Sequence, residues 1–294
     1  HRNFCLGIGD ITKRIKMKTK VLKVQSENQW FQRAEVLKRN RKKRTQHRQF
    51  FVEGVSSINQ LVDRNEWTIE ALLYTPDRPL SNWARTVLAK ASAHHRLELS
   101  APLLDKLSDK EDPSELLAIV AIPADDPGRI PIRPDALIAL AYRPANPGNL
   151  GTLIRSCEAF GVDGLVITGH AADLYDPRTI RAATGSLFAL PTTHISSQAE
   201  LSRWLDQIRC QIPTLQIVGT SARGATPLTN ASLTAPTLLI IGNEASGLSQ
   251  RCREYCDQIV AIPMAGQMPS LNMASAAAVF LYEIQRQRRS VHND

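Results

Sequence analysis

Residues 135–168 read DALIALAYRPANPGNLGTLIRSCEAFGVDGLVIT, and this stretch decides the fold. Two short apolar runs, DALIALAYR and GLVIT, flank a segment with helical spacing, GTLIRSCEAF. Gly161 sits just past the last helical position, where a left-handed residue closes a helix. A strand, a helix and a second strand, with no polar alternation in either strand, describe a parallel pair covered on both faces.

The same unit recurs toward the C-terminus. Ser197 with Glu200 forms a capping box that opens QAELSRWLDQIRC, and TLQIVGTS, TLLIIG and IVAIP are three further apolar strands. Residues 136–294 are therefore predicted to be one α/β domain with a parallel sheet. Upstream, ADDPGRIPIRPD (124–135) is rich in proline and charge and reads as a stiff, extended, solvated linker. Before it, QFFVEG, IEALLYT, RLELS and LLAIVAIP read as strands. VSSINQLVDR, SNWARTVLAKASAH (Ser81 as N-cap) and APLLDKLSD read as helices. These define a smaller α/β domain over residues 29–123. Residues 1–28 read as a basic tail, and Met17 heads a stretch that looks like a natural start, so 1–16 are read as added sequence.

The 294-residue chain carries a formal net charge of +8 and is 43% hydrophobic but only 5% aromatic. A basic balance favours a polyanionic partner through counterion release. The densest cluster is Lys38, Arg39, Arg41, Lys42, Lys43 and Arg44, which follows Trp30, Ala34 and Leu37 at helical spacing. It is expected to close an amphipathic helix and to contact RNA, the alternative being a solvated helix end. The five cysteines, Cys5, Cys157, Cys210, Cys252 and Cys256, form no paired framework and complete no zinc site. They read as reduced thiols of a cytoplasmic protein. His94 and His95 read as a surface pair at a helix end, and no metal is expected. No apolar run is long enough to span a bilayer.

In a parallel sheet, ligands sit beyond the carboxyl ends of the strands. Three loops there stand out. The first, RPANPGNLGTLIRSCEAFG (143–161), places Asn149 where the helix begins and Arg155 one to two turns along it. The second, IIGNEASGLS (240–249), holds Glu244 between Gly242 and Gly247 in a short loop. A buried carboxylate there is costly without a task, although a following helix dipole also favours one. The third, AIPMAGQMPSLNMASAAAVFLYEIQRQRR (261–289), runs from a strand through Ser270, Leu271 and Asn272 into a helix opening on small residues. No GxGxxG follows a strand, which disfavours a dinucleotide-binding reading.

In this order and spacing, NLGTLIR, GNEASGL and IPMAGQMPSLNMASAAA resemble the three motifs of the SpoU (TrmH-type) branch of the SPOUT methyltransferases. Ala274 departs from the pattern, standing where the family often has serine. QFFVEGVSSINQL, preceded by basic residues, resembles the N-terminal substrate-recognition domain of larger members, itself similar to a ribosomal-protein RNA-binding fold.

The resemblance implies an α/β knot in the C-terminal domain and S-adenosyl-L-methionine as cofactor. It places Gly242, Ile262 and Leu271 at the cofactor, with Thr220 and Met264 as neighbours. It gives Arg155, Asn149, Glu244, Ser270 and Asn272 to the catalytic lining, in a homodimer whose Arg155 reaches the partner's cofactor. The implied reaction is methyl transfer to a ribose 2′-hydroxyl. A guanidinium lacks an acceptor, so Arg155 is expected to hold a phosphate and stabilise charge on the oxygen rather than act as base. Structured RNA is the expected partner, ribosomal RNA before tRNA, with neither membrane nor DNA. Alternatives are a catalytically silent RNA-binding or assembly protein on the same fold, and base methylation, which the Ser-Leu-Asn core fits poorly. A role in antibiotic resistance shares this architecture.

Overall fold

The computed structural model describes residues 19–109, 112–222 and 226–291. The expectation for residues 1–16 lies outside them. The N-terminal part runs β1 (Lys20–Val24), α1 (Gln29–Arg39), α2 (Arg41–His47), β2 (Gln49–Glu53), α3 (Val55–Asp63), β3 (Ile69–Tyr74), α4 (Asn82–Lys90), β4 (Ala93–Leu99), α5 (Ala101–Leu107) and β5 (Leu117–Ala121). Its sheet has the order β1-β4-β3-β5-β2, with β1, β4 and β3 parallel and β5 antiparallel to both β3 and β2.

Alternation along the strands sorts side chains to two faces. Phe51, Ala71, Leu73, Leu97 and Ile119 pack under α1 and α5. Phe50, Val52, Leu72, Ala118 and Val120 face α3 and α4.

The C-terminal part runs β6 (Leu137–Tyr142), α6 (Pro147–Ala159), β7 (Gly164–Thr168), α7 (Pro177–Ala183), α8 (Ser186–Ala189), β8 (Thr192–Ile195), α9 (Gln198–Gln211), β9 (Gln216–Ser221), β10 (Thr226–Pro227), β11 (Thr237–Ile241), α10 (Gln250–Glu254), β12 (Gln258–Ala261) and α11 (Met273–Val291). Its seven strands, ordered β10-β12-β9-β11-β6-β7-β8, pair only in parallel. Leu137, Ala139 and Ala141 face α6 and α11, whereas Ile138, Leu140 and Val166 face α9. The core on the α6 side continues without a break into the α3 and α4 side of the N-terminal sheet.

Several sequence expectations meet a different local structure. Lys20–Val24 is an edge strand and not tail, because Leu22 and Val24 cover the α1 face beside Leu97 and Leu99. The basic cluster does not close one helix. Asn40 ends α1 and caps α2, its side chain accepting from Lys43 N at 3.1 Å. His94 and His95 lie in β4 and not at a helix end; His94 meets Glu70, and the His95 ring lies tilted against Trp30 with centroids 4.8 Å apart.

The linker is not solvated throughout. Ile130 is buried against Gly164, and Arg133 pairs with the buried Asp163, so an apolar side chain and a charge tie the segment to β7. Strand β8 and helices α7 and α8 escaped the sequence reading, being too short or too polar to show a period. Ser81 and Ser197 cap their helices as expected, and Gly161 is left-handed at φ 67°.

Candidate active site

Three loops leave the carboxyl ends of β6, β11 and β12 and meet. After β6, Arg143 takes a left-handed conformation at φ 52°, turning the chain toward α6. Asn146 caps that helix by accepting from Asn149 N at 3.1 Å, with Pro147 at its first position.

After β11, the loop is closed by paired backbone bonds between Asn243 and Gly247, 3.0 and 2.9 Å long. Gly247 is left-handed at φ 64°, and the Asn243 side chain accepts from Ala245 N and Ser246 N. Gly242 admits no side chain, because a Cβ there would lie 2.7 Å from the Gly247 carbonyl carbon. This turn holds Glu244 at its tip, beside the start of α6. Glu244 accepts from Ala145 N at 3.1 Å, Asn146 N at 3.4 Å and Asn149 Nδ2 at 3.1 Å. Burial on its own would raise the Glu244 carboxyl. These donors, with its own N–H, outweigh it and hold the group below the usual carboxylate range.

After β12, Asn272 caps α11 by accepting from Ala274 N at 2.9 Å and Ser275 N at 3.3 Å. Its Nδ2 donates to Asn149 Oδ1 at 2.9 Å. Glu244, Asn149 and Asn272, one residue from each loop, thus form a single directional chain of hydrogen bonds. Ala274 is buried where α11 begins, and Ala277, Phe280, Leu281 and Ile284 continue the buried face that α11 turns toward α6.

Between the second and third loops lies a cleft of about 510 Å³. All five residues expected at the cofactor, Thr220, Gly242, Ile262, Met264 and Leu271, line it, together with Glu244 and Ser270. Thr220 Oγ1 accepts from Gly242 N at 3.4 Å, tying β9 to the second loop. Arg155 is not part of this wall. It is exposed on α6 and, among the described residues, has no bonded partner.

Asn243 and Arg253 are among the cleft residues not singled out from sequence. Asn243 shapes the Glu244 turn and donates to the Arg143 carbonyl at 2.7 Å, a role legible in an Asn next to a glycine in a tight loop. Arg253 lines the cleft and donates to Ser221 Oγ at 3.3 Å; nothing in QRCRE marks it from its neighbours.

The basic cluster divides. Arg39, Arg41 and Lys42 are exposed and Lys43 half-buried, although Arg41 also donates to the Ala171 carbonyl at 2.9 Å. Lys38 and Arg44 are turned inward and are not free to contact RNA. The Lys38 side chain is 6% exposed, bonded to Asp109 and the Leu107 carbonyl. The Arg44 side chain is 3% exposed and pairs with Asp173. Each finds carbonyl and carboxylate acceptors inside, which satisfies a buried cation.

The sequence matches the SpoU rRNA Methylase family over residues 136–282 and the SpoU L30e-like domain over residues 28–118. It is 44% identical over 269 residues to the 23S rRNA (uridine(2479)-2′-O)-methyltransferase of Streptomyces viridochromogenes, covering 91% of this chain and 93% of the relative. Among solved structures, the SpoU methyltransferase AviRb from the same organism, in complex with AdoMet, superposes with a TM-score of 0.84 at 44% identity, over 90% of this chain and 99% of that one. The AdoMet-bound rRNA methyltransferase of Sinorhizobium meliloti superposes with a TM-score of 0.79 at 27% identity, over 90% and 98%. Motifs, architecture and relatives agree: the chain belongs to the SpoU rRNA methylase family.

Proposed function

We propose that the protein methylates a ribose 2′-hydroxyl of ribosomal RNA with S-adenosylmethionine bound in the cleft between the second and third loops. The cleft fits that group. Its volume of about 510 Å³ is within the range of small-molecule sites, roughly 300–1,000 Å³. Ile262, Leu248, Leu271 and Met264 offer apolar walls for an adenine, and the backbone around Gly242 and Gly247 offers polar groups for its nitrogens. The bound cofactor supplies an activated sulfonium methyl. The 2′-O-methyltransferase relative, similar along nearly its whole length, supports both the chemistry and the class of RNA.

The observation that carries the reading is the hydrogen-bond chain Glu244–Asn149–Asn272, which locks the cleft loops to the helix that bears Arg155. Glu244 stays ionised and holds the first turn of α6. Ser270 presents a hydroxyl to the cleft. Arg155, with five donors and no acceptor, grips the phosphate beside the target ribose. It also stabilises charge developing on the attacking oxygen, which eases loss of the proton to solvent.

Because Arg155 stands outside its own cleft, the site is completed by a second subunit. Met268, Leu271, Val279 and Tyr282 are exposed apolar residues on the third loop and α11, a surface suited to self-association. The C-terminal segment is taken to thread a knot: it leaves β12 near one end of the sheet, yet α11 packs beside α6, and Arg288 is bonded to the Asp135, Ala136 and Ala235 carbonyls. A cytoplasmic location accords with a ribosomal substrate.

Mapping 2′-O-methyl sites on ribosomal RNA from cells with and without the protein tests the reading. One site present only with the protein is expected, and identical maps would overturn it. Light scattering tests the subunit arrangement; a stable monomer at micromolar concentration would remove the shared site.

A further inference from the structure

Arg44 belongs to α2 of the N-terminal domain, yet its guanidinium engages acceptors on both sides of the domain junction. Nε donates to Asp173 at 2.8 Å, and Nη1 donates to the Leu37 and Lys38 carbonyls at 2.6 and 3.2 Å. Nη2 lies 2.7 Å from Asp173 and 3.6 Å from Asp176. Both acids open α7 in the catalytic domain. Asp173 accepts from Tyr175 N at 3.0 Å, its carbonyl accepts the Thr179 hydroxyl at 2.9 Å, and Asp176 is the helix cap. Helix α7 then lies against α6 at Gly151, where a Cβ would collide with the Thr179 carbonyl. Gly151 stands between Asn149 and Arg155. Fixed contacts therefore lead from the N-terminal domain to the two α6 residues assigned to the reaction.

Around it the junction is mainly apolar, with Arg41 Nη1 also donating to the Ala171 carbonyl at 2.9 Å and Arg181 Nη2 lying 3.5 Å from Asp109. The Phe50 ring lies 4.7 Å from Tyr175 and the Trp67 ring 5.1 Å from Phe188, and Trp67 Nε1 donates to the Phe188 carbonyl at 3.1 Å. Apolar contact drives docking but has no direction, whereas a guanidinium–carboxylate pair sets geometry. A buried ion pair gains little stability over apolar packing of the same volume. Its value at this junction is register.

We propose that Arg44 is a positioning residue: it fixes the N-terminal domain in one orientation on α7 and α6, so that RNA held by that domain is presented to Arg155 in a preset geometry. The inference rests on the proposed methyl transfer to ribosomal RNA. It predicts that loss of Arg44 lowers the rate of transfer while cofactor and RNA affinity are kept.

The test compares the full-length wild type with Arg44→Met and with the double variant Arg44→Met, Asp173→Asn, which removes a stranded buried charge. Small-angle scattering reads domain orientation, and calorimetry reads S-adenosylmethionine affinity. Single-turnover transfer to protein-free ribosomal RNA, from cells lacking the protein, reads the rate at saturation. Both variants should bind cofactor and RNA as wild type, scatter as a mixture of domain arrangements, and transfer about tenfold or more slowly. The double variant should regain melting temperature without regaining rate, which a merely structural role would not produce. A rate that recovers with melting temperature overturns the proposal. So does one unchanged domain arrangement in both variants, whether or not RNA is methylated. A wild type that binds cofactor but methylates no ribosomal RNA counts against the function instead, and scattering still decides Arg44.

Discussion

The three motif loops and the basic cluster at 38–44 were equally conspicuous as sequence, and the tertiary structure treats them in opposite ways. The loops, spread over residues 143–289, converge on one cleft and one hydrogen-bond chain. The cluster, contiguous in the chain, scatters: some cations face solvent, and Lys38 and Arg44 are pulled into the interior. The difference lies in what each pattern constrains. Glycines, prolines and capping asparagines dictate backbone conformation, and a fixed backbone places its neighbours. Charge dictates nothing about direction. Arg44 lies seven residues after the buried Leu37, two helical turns on, and falls on the inward side although Asn40 interrupts the helix.

The sharpest way to break the contrast is at Arg155, the motif residue that the fold leaves outside the cleft. Arg155→Lys keeps the charge but loses the planar fork, and single-turnover methylation should fall about a hundredfold to a thousandfold. Calorimetry should show unchanged S-adenosylmethionine binding. Near-wild-type turnover would mean that bare charge suffices.

Gly242→Val should act in the reverse sense. The new side chain meets the Gly247 backbone, and overpacking of this kind costs about 1–3 kcal/mol. Cofactor affinity should drop by about one to two orders of magnitude. Equal loss of binding in Arg155→Lys and Gly242→Val would erase the proposed division of roles between the cleft and α6.

Glu244→Gln sharpens the comparison from inside the chain of bonds. The carboxylate accepts from four neighbouring donors, and an amide cannot satisfy all of them, so urea unfolding at neutral pH should register a loss of about 1.5–3 kcal/mol. The folded-state group is held below its ordinary value, so its contribution is fully present above about pH 4.3. It is lost as pH falls further, through the lower folded value. The gap between wild type and variant should therefore close in that acid window. A pH-independent gap would assign Glu244 a packing role only.

The smallest effect separates the two halves of the basic cluster. Arg39→Ala, Lys42→Ala and Lys43→Ala together should reduce the salt slope of RNA binding by about one for each phosphate no longer neutralised, with melting temperature kept. Lys38→Ala should do the opposite, lowering melting temperature and leaving the slope. An unchanged slope in the triple variant would make the exposed cluster a solvated face.

How far the site was legible follows the same line. Thr220, Gly242, Ile262, Met264 and Leu271 all reach the cleft, because strand ends and glycine turns that sequence does specify hold them. Arg253 was invisible, since its position depends on how α10 returns over β9. Lys20–Val24 looked like tail because the exposed Lys20 and Lys23 masked the inward Leu22 and Val24 of an edge strand. The linker looked solvated because proline and charge outnumber Ile130, the buried apolar side chain that anchors it beside the Arg133–Asp163 pair.

By itself the sequence determined the parallel α/β domain, its helix caps and the three loops that build a cleft, because periodicity and backbone-restricting residues act locally. Only the tertiary structure decided that Arg44 clamps the domains, that one core runs through both, and that Arg155 stands outside its own cleft. Those outcomes depend on which helix faces meet and on which acceptors wait for a buried charge. Pairings between residues more than a hundred positions apart leave no period in the chain.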